Sequence, residues 1–247
     1  MKKRLLVLGL AFTMLAATAC GTSSDNGSKT SKADKTVTAA TNDDKKTETQ
    51  KNDDKDAKKE ETKESYKSAD DITMDDLNNH EETSADDFEY GDGPDGSVVI
   101  DGYTGDDPIV VIPDEIDGKK VVDFGKIFMN DKDIVAVKVG DNVEEIADGA
   151  FTNCDNLKYV ILGKNVKKIN DTIVGGKKLE ALELNDGLEE LGTGSSTTGV
   201  IVMGDIDVKI PESVKKMDFA CEKAMIVKAG SYAESYAKEH NMDYRVE

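Results

Sequence analysis

A β-rich solenoid with short helical turns is the fold class that the sequence predicts. Three observations point to it: a repeat, the spacing inside each repeat, and turn and capping signals at both ends of the array. Apolar residues fall at offsets 0, 3, 5, 9 and 12 in three successive segments. These are Ile134, Val137, Val139, Val143 and Ile146; Leu157, Val160, Leu162, Val166 and Ile169; and Leu179, Leu182, Leu184, Leu188 and Leu191. The segments begin 23 and then 22 residues apart, a period typical of stacked-repeat architectures. One copy has nothing against which to bury its apolar face, whereas stacked copies enclose a continuous core.

Offsets 3 and 5 predict a short strand, because alternate side chains of an extended chain share a face. Offsets 9 and 12 then bring the chain back across the core. Asp205 opens a weaker copy with Val208, Ile210, Val214 and Met217 at offsets 3, 5, 9 and 12. Upstream, Val110, Ile112, Pro113 and Ile116 fit a first copy widened by the turn at Asp117–Lys120, so about five repeats are expected. The repeat domain is placed at 88–247, with caps at 88–106 and 225–247. Phe88–Tyr90 and Ser97–Ile100, around a Gly-Asp-Gly-Pro-Asp-Gly turn, predict a leading hairpin. At the other end Met225–Val227 predicts a strand, and Tyr244 and Val246 a last one. Between them Ser231 predicts a helix N-cap, with Glu234 completing a capping box. Tyr232, Ala233, Tyr236, Ala237 and His240 share one face of that helix, which makes His240 a packing residue rather than a ligand.

The run Ile146-x3-Ala150-Phe151-x2-Cys154-x2-Leu157-x2-Val160, with Ile112-Pro113 and Ile210-Pro211 after strands, resembles the BspA-type leucine-rich repeat. That family is common in bacterial surface proteins. Gly230–Lys238 resembles the segment that often closes such arrays, and the likeness covers roughly 97–247. It departs from the pattern in the third and fourth copies, where Thr172–Gly176 and Thr193–Ser196 replace Ala-Phe-x-x-Cys, and looser turns are expected there. The resemblance implies adhesion or protein–protein contact at a cell surface. Cys154 and Cys221 occupy equivalent places three repeats apart. At ~4.8 Å per strand that is ~14 Å, beyond the ~7 Å a disulfide spans, so two buried free thiols are expected.

Residues 1–19 have the layout of a secretory signal: Lys2, Lys3 and Arg4, an apolar run from Leu5 too short to span a bilayer, then small residues. Cys20 directly follows and resembles the lipobox cysteine of bacterial lipoproteins, although Ala17 stands where that family more often has Leu. The resemblance implies that the Cys20 thiol carries lipid, palmitate among its acyl chains, and anchors the protein extracytoplasmically on the membrane. Residues 20–87 then read as the lipidated cysteine and a disordered polar tether, in which only 71–78 has the pattern of a single helical turn. From Gly21 to Ser65 the only large apolar residue is Val37, so burial cannot offset the entropy of ordering. As a flexible chain, 21–85 would span ~45 Å. His80, in its acidic end, is expected to be exposed and without a role.

Acidic residues number 51 against 32 basic ones, for a net charge of −19. That excludes nucleic acid, whose phosphates require neutralisation, and a polybasic membrane motif. The domain itself is acidic, with 32 acidic and 18 basic residues in 88–247. Gly192–Ser196 has the spacing of neither a nucleophile elbow nor a phosphate loop. Asp92, Asp95, Asp106 and Asp107 sit in Gly-rich turns without EF-hand spacing. Two isolated histidines form no triad or metal site. The expectation is therefore no enzyme, no metal and no cofactor.

The informative surface is the outward side of the strand ladder, at offsets 2 and 4. Ile109, Val111, Tyr159 and Ile161 are expected to form an apolar strip there, with Lys138 and Glu183 beside it as candidate ligand contacts. Exposed apolar patches with polar rims mark interfaces, and Tyr is enriched at their hot spots. The other possibility for this strip is that the leading hairpin covers it. The Gly192–Gly199 loop is a weaker candidate. The chain thus reads as a monomeric surface lipoprotein presenting a non-catalytic repeat module to an extracellular or envelope protein or glycan. The alternative is an envelope scaffold that binds the cell's own wall or surface proteins.

Overall fold

The computed structural model describes residues 68–194 and 199–247. The signal segment, Cys20, the tether up to residue 67 and the tip of the Gly192–Gly199 loop lie outside the described residues. Ser68 to Asp87, assigned above to the tether, is folded: a 3₁₀ turn (Ala69–Asp71), helix α1 (Met74–Asn79) and a second 3₁₀ turn (Ala85–Asp87). Thr73 caps α1 reciprocally. Its hydroxyl accepts from the Asp76 N–H at 3.3 Å, and its own N–H donates to the Asp76 carboxylate at 2.7 Å. Ile72, just before the cap, and Leu77, in the first turn, are both fully buried, as a hydrophobic staple places them.

Strands β1 (Phe88–Asp92) and β2 (Val98–Tyr103) pair antiparallel as the expected leading hairpin. β3 (Ile109–Val111) opens the strand ladder. β4 (Glu115–Ile116) and β5 (Lys119–Asp123) turn over Asp117-Gly118, whose φ values of 54° and 72° are those of a two-residue hairpin loop. β2 runs parallel to β5, so β1-β2-β5-β4 forms one end sheet.

The strands that follow are β6 (Ala136–Lys138), β7 (Glu145–Ile146), β8 (Tyr159–Ile161), β9 (Lys168–Ile169), β10 (Thr172–Val174) and β11 (Ala181–Glu183). Then come β12 (Glu190–Leu191), β13 (Val200–Val202), β14 (Val208–Lys209), β15 (Lys216–Met217), β16 (Phe219–Cys221) and β17 (Met225–Val227). Helix α2 (Tyr232–Glu239) and β18 (Tyr244–Val246) end the chain. They stack in parallel: β3-β6-β8-β11 on the first side of the coil, β7-β9-β12-β15 on the second and β10-β13-β16 on the third, while β14-β17-β18 closes the far end. Val137 and Val160, at offset 3 of their copies, are fully buried, as are Val143, Val166 and Leu188 at offset 9. At offset 12 Ile146 and Leu191 are fully buried and Ile169 is nearly so.

The second ladder carries a charge pattern. Glu145 pairs in register with Lys168, Lys168 with Glu190, and Glu190 with Lys216. Ion pairs join Lys168 to Glu145 at 3.1 Å and Lys216 to Glu190 at 3.4 Å. One residue earlier, Lys167 meets Glu144 at 3.6 Å and Lys215 meets Glu189 at 3.0 Å. Alternating signs up the stack favour this coil-to-coil register, since like charges directly opposite are destabilising. Glu190→Lys would put three lysines in one file. Exposed pairs contribute little each, so the expected loss is about 1 kcal/mol at low salt. Melting in 1 M NaCl should erase most of it, because the Debye length falls to about 3 Å.

The third side differs along the stack. In the early coils it is made of the helical turns 125–130 and 148–153, whose Phe128 and Phe151 rings stack at 6.2 Å between centroids, with Phe124 at 5.8 and 6.0 Å from them. Where Ala-Phe-x-x-Cys is missing, looser turns were expected. At the first of these places the structure instead has a strand, Thr172–Val174, paired with Val200–Val202, which pairs with Phe219–Cys221. The second, Thr193–Ser196, lies partly outside the described residues. β-branched residues sit readily on a pleated, half-buried surface, and the Thr172 hydroxyl ties the two halves together by accepting from the Phe151 N–H at 3.2 Å.

At the C-terminal end Ser231 caps α2, accepting from the Glu234 N–H at 3.1 Å. The reciprocal bond of the expected capping box reaches one residue further back, with the Glu234 carboxylate accepting from the Gly230 N–H at 2.7 Å. Ala233, Tyr236 and Ala237 are buried, Tyr232 is exposed, and His240 stacks on Tyr236 at 3.9 Å between ring centroids. The Tyr236 hydroxyl accepts from the Phe219 N–H at 3.0 Å and lies 3.3 Å from the Phe219 carbonyl oxygen. It thereby satisfies the free edge of β16, which would otherwise be open to pairing. Cys154 and Cys221 are free thiols; Cys154 is buried as expected, but Cys221 is only half-buried.

Candidate interaction face

The first ladder aligns the candidate residues in two files. Ile109, Ala136, Tyr159 and Ala181 lie in one register row, and Val111, Lys138, Ile161 and Glu183 in the other. The intervening Val110, Val137 and Val160 point into the main core. Ile109, Val111, Ala136 and Tyr159 belong to a separate apolar cluster on the opposite side, so the outward assignment of the two files agrees with the fold.

The face is not open. Ile109, Val111 and Tyr159 are buried, Lys138 and Ile161 are half-buried, and Glu183 is exposed. The cover is not the leading hairpin. It is the segment 68–83, whose Ile72 and Leu77 share the cluster with Ile109, Val111, Val135, Ala136 and Tyr159. Two polar attachments hold it. Lys158, itself buried, donates to the Ile72 carbonyl at 2.8 Å and lies 3.4 Å from the Asp70 carbonyl. At the exit of the segment, the Thr83 N–H donates to the Val111 carbonyl and the Val111 N–H to the Thr83 hydroxyl, both at 3.0 Å. The second pair occupies the open edge of β3, the first strand of the ladder.

Lys158 also pairs with Glu180 at 3.0 Å, and the Tyr159 hydroxyl donates to the Glu180 carboxylate. Burial, and then the hydrogen bond to Glu180 and its charge, push the Tyr159 phenol up to about 12. The bond from Tyr159 holds the Glu180 carboxyl below its ordinary value. A carboxyl depressed by folding contributes stability above its unfolded value of about 4.3, and that contribution is lost as pH falls through the depressed value. This corner is therefore tight at neutral pH and loosens in acid. Lys178 reaches Asp70 at 3.3 Å. A cleft of about 350 Å³ runs along the margin of the segment, between Asp70 and a wall formed by Lys158, Lys177, Lys178 and Glu180.

Sequence reasoning missed Ile72, Leu77, Thr83, Lys158 and Glu180. The first two were signalled by Ile-Thr-x-x-Asp-Leu, a capping box with its staple; the long-range partners Lys158 and Glu180 carried no local signal. His80, expected to be idle, is half-buried with its Nε2 3.5 Å from the Asp107 carboxylate. Burial pushes the Cys154 thiol up to about 12, and its Sγ donates to the Phe128 carbonyl at 2.8 Å, which marks it as a packing group. No group of three or more His, Cys, Asp or Glu among the described residues is arranged to hold a metal ion.

Residues 125–201 match the model of the BspA type Leucine rich repeat region, a family described with 6 copies. No curated protein matches the chain. Among solved structures the chain is similar to the Leucine Rich Repeat protein of T. pallidum, with 24% identity over 59% of this chain and 71% of that one, at a TM-score of 0.47. It is also similar to a leucine rich cell surface protein from Faecalibacterium prausnitzii, with 17% identity over 57% of this chain and 54% of that one, at a TM-score of 0.35. The stacked ladders make the fold a β-solenoid, and its stretch 125–201 matches BspA-type leucine-rich repeats.

Proposed function

We propose that this chain is a surface lipoprotein, held to the membrane through lipid on Cys20, whose leucine-rich-repeat solenoid is a non-catalytic module for protein–protein contact or adhesion. One observation carries the binding role: the outward files of the first ladder form a contiguous apolar cluster separate from the core, which the chain's own residues 68–83 close. Solenoids form extended surfaces of this kind because the repeats line up their equivalent residues. The signal layout before Cys20 supports the anchor, since acyl chains contribute about 0.8 kcal/mol per buried methylene and two or more hold stably.

Two measurements test the reading. Cells expressing the native chain should place it in the detergent phase, and Cys20→Ala should move it to the aqueous phase; unchanged partitioning removes the anchor. The mature protein, presented to extracellular matrix and mucin proteins and separately to the producing cell's own wall fragments, should retain a matrix or mucin protein. With residues 68–83 unseated by Ile72→Asp and Leu77→Asp the retention should strengthen, and Tyr159→Glu in that background should weaken it without loss of the folded solenoid. Retention of own-wall material alone would make the protein an envelope scaffold instead.

A further inference from the structure

We propose that residues 68–83 are a removable strap occupying, in cis, a docking surface for partner segments of the same chemistry: short, acidic, with two apolar side chains spaced like Ile72 and Leu77. This rests on reading the ladder as an interaction face. The apolar groups of the strap pack into a cluster that shares no residue with the solenoid core, so lifting it leaves the core closed. Helix α1 has six residues, far too few to persist alone in water, and it is formed only while seated. Thr83, bonded both ways to Val111, is the point about which the strap would lift.

The way the strap is held defines what can replace it. Lys158 reads main-chain carbonyls of Asp70 and Ile72, groups that every peptide has. Specificity comes from two buried plugs and from charge. Asp70, Asp71, Asp75, Asp76, Glu81 and Glu82 make the strap strongly acidic. The margin it meets carries Lys158, Lys177 and Lys178 against Glu180 and Asp205, a local excess of positive charge on a domain whose overall charge is negative. An acidic segment is therefore favoured here, and a basic one is not.

The test uses the full mature chain and a synthetic peptide of residues 68–83 as the probe. Wild type should take up the peptide poorly, because the tethered copy competes at high effective concentration. The double variant Ile72→Asp, Leu77→Asp should bind it about tenfold more tightly or better, and Lys158→Gln in that background should weaken binding by about tenfold. Equal binding by wild type and variant overturns the proposal, as does a variant that melts cooperatively yet takes up no peptide. A variant that no longer melts cooperatively also overturns it, because the strap would then be part of the core. Hydrogen exchange on wild type gives an independent readout: the Asp76 and Leu77 amides should exchange about tenfold faster or more than those of Val137 and Val160. Equal protection contradicts a removable strap. No outside partner enters either measurement, so their failure is distinct from failure of the adhesion reading.

Discussion

Phe128→Ala is expected to destabilise the solenoid by about 3–5 kcal/mol, the range for emptying a buried aromatic site. Phe128 is fully buried and is the middle ring of a column. Phe151 lies on one side, and Tyr103, with Phe88 behind it, on the other at 6.5 and 5.5 Å between successive centroids. That column joins the leading hairpin to the first helical turns. Its loss therefore weakens a nearest-neighbour interface, which in a stacked architecture carries much of the cooperativity. The melting temperature should fall by roughly 10 °C, with the N-terminal sheet unfolding before the later coils. Met129→Ala, one residue on but 44% exposed, should shift it hardly at all.

Gly163→Ala is expected to cost about 3 kcal/mol, near the upper end of the overpacking range, although it adds a single methyl group. A Cβ at Gly163 would sit on the carbonyl oxygen of Gly140, 2.7 Å from its carbonyl carbon and 3.0 Å from the oxygen of Val139. These atoms are backbone of the neighbouring coil and have no rotamer into which to retreat. Relief requires the coils to part where the Val139 N–H donates to the Ile161 carbonyl at 2.9 Å. Gly187→Ala serves as the control. Its nearest neighbours would be the Asn185 side-chain amide at 3.3 Å and the Lys164 carbonyl at 3.4 Å, so chemical denaturation should place it close to wild type while Gly163→Ala shifts the midpoint strongly.

The repeat was legible because burial is periodic. Val137, Val160, Val143 and Val166 recur at fixed offsets, and one stacking operation buries each set. The first ladder and its register followed from alternation at offsets 3 and 5. The second and third ladders were not legible as strands. Glu145–Ile146 and its equivalents are two residues long, too short for alternation to register, and Thr172–Val174 lies where a helical turn was the pattern. The two files do lie on the side of the ladder away from the core, but they are covered where an exposed strip was expected. Ala69, Ile72, Met74 and Leu77 in an otherwise acidic, polar stretch are too few to signal folding by composition, and Ile72 and Leu77 are buried by residues far along the chain. What makes them fold is a pre-formed apolar surface and a lysine at position 158, neither visible from the window 68–83.

Thiol labelling most directly tests whether the ladder face is closed by the chain's own segment. Ala136 is fully buried, lies in the file between Ile109 and Tyr159 and belongs to the strap cluster. Ala136→Cys in the otherwise native full chain, followed by a small maleimide and peptide-resolved mass spectrometry, reports directly on cover at that point. Slow labelling that becomes fast when Ile72→Asp and Leu77→Asp are added is the expected result. Immediate labelling of the thiol introduced by Ala136→Cys in the native background would show that the face stands open and that the strap does not cover it.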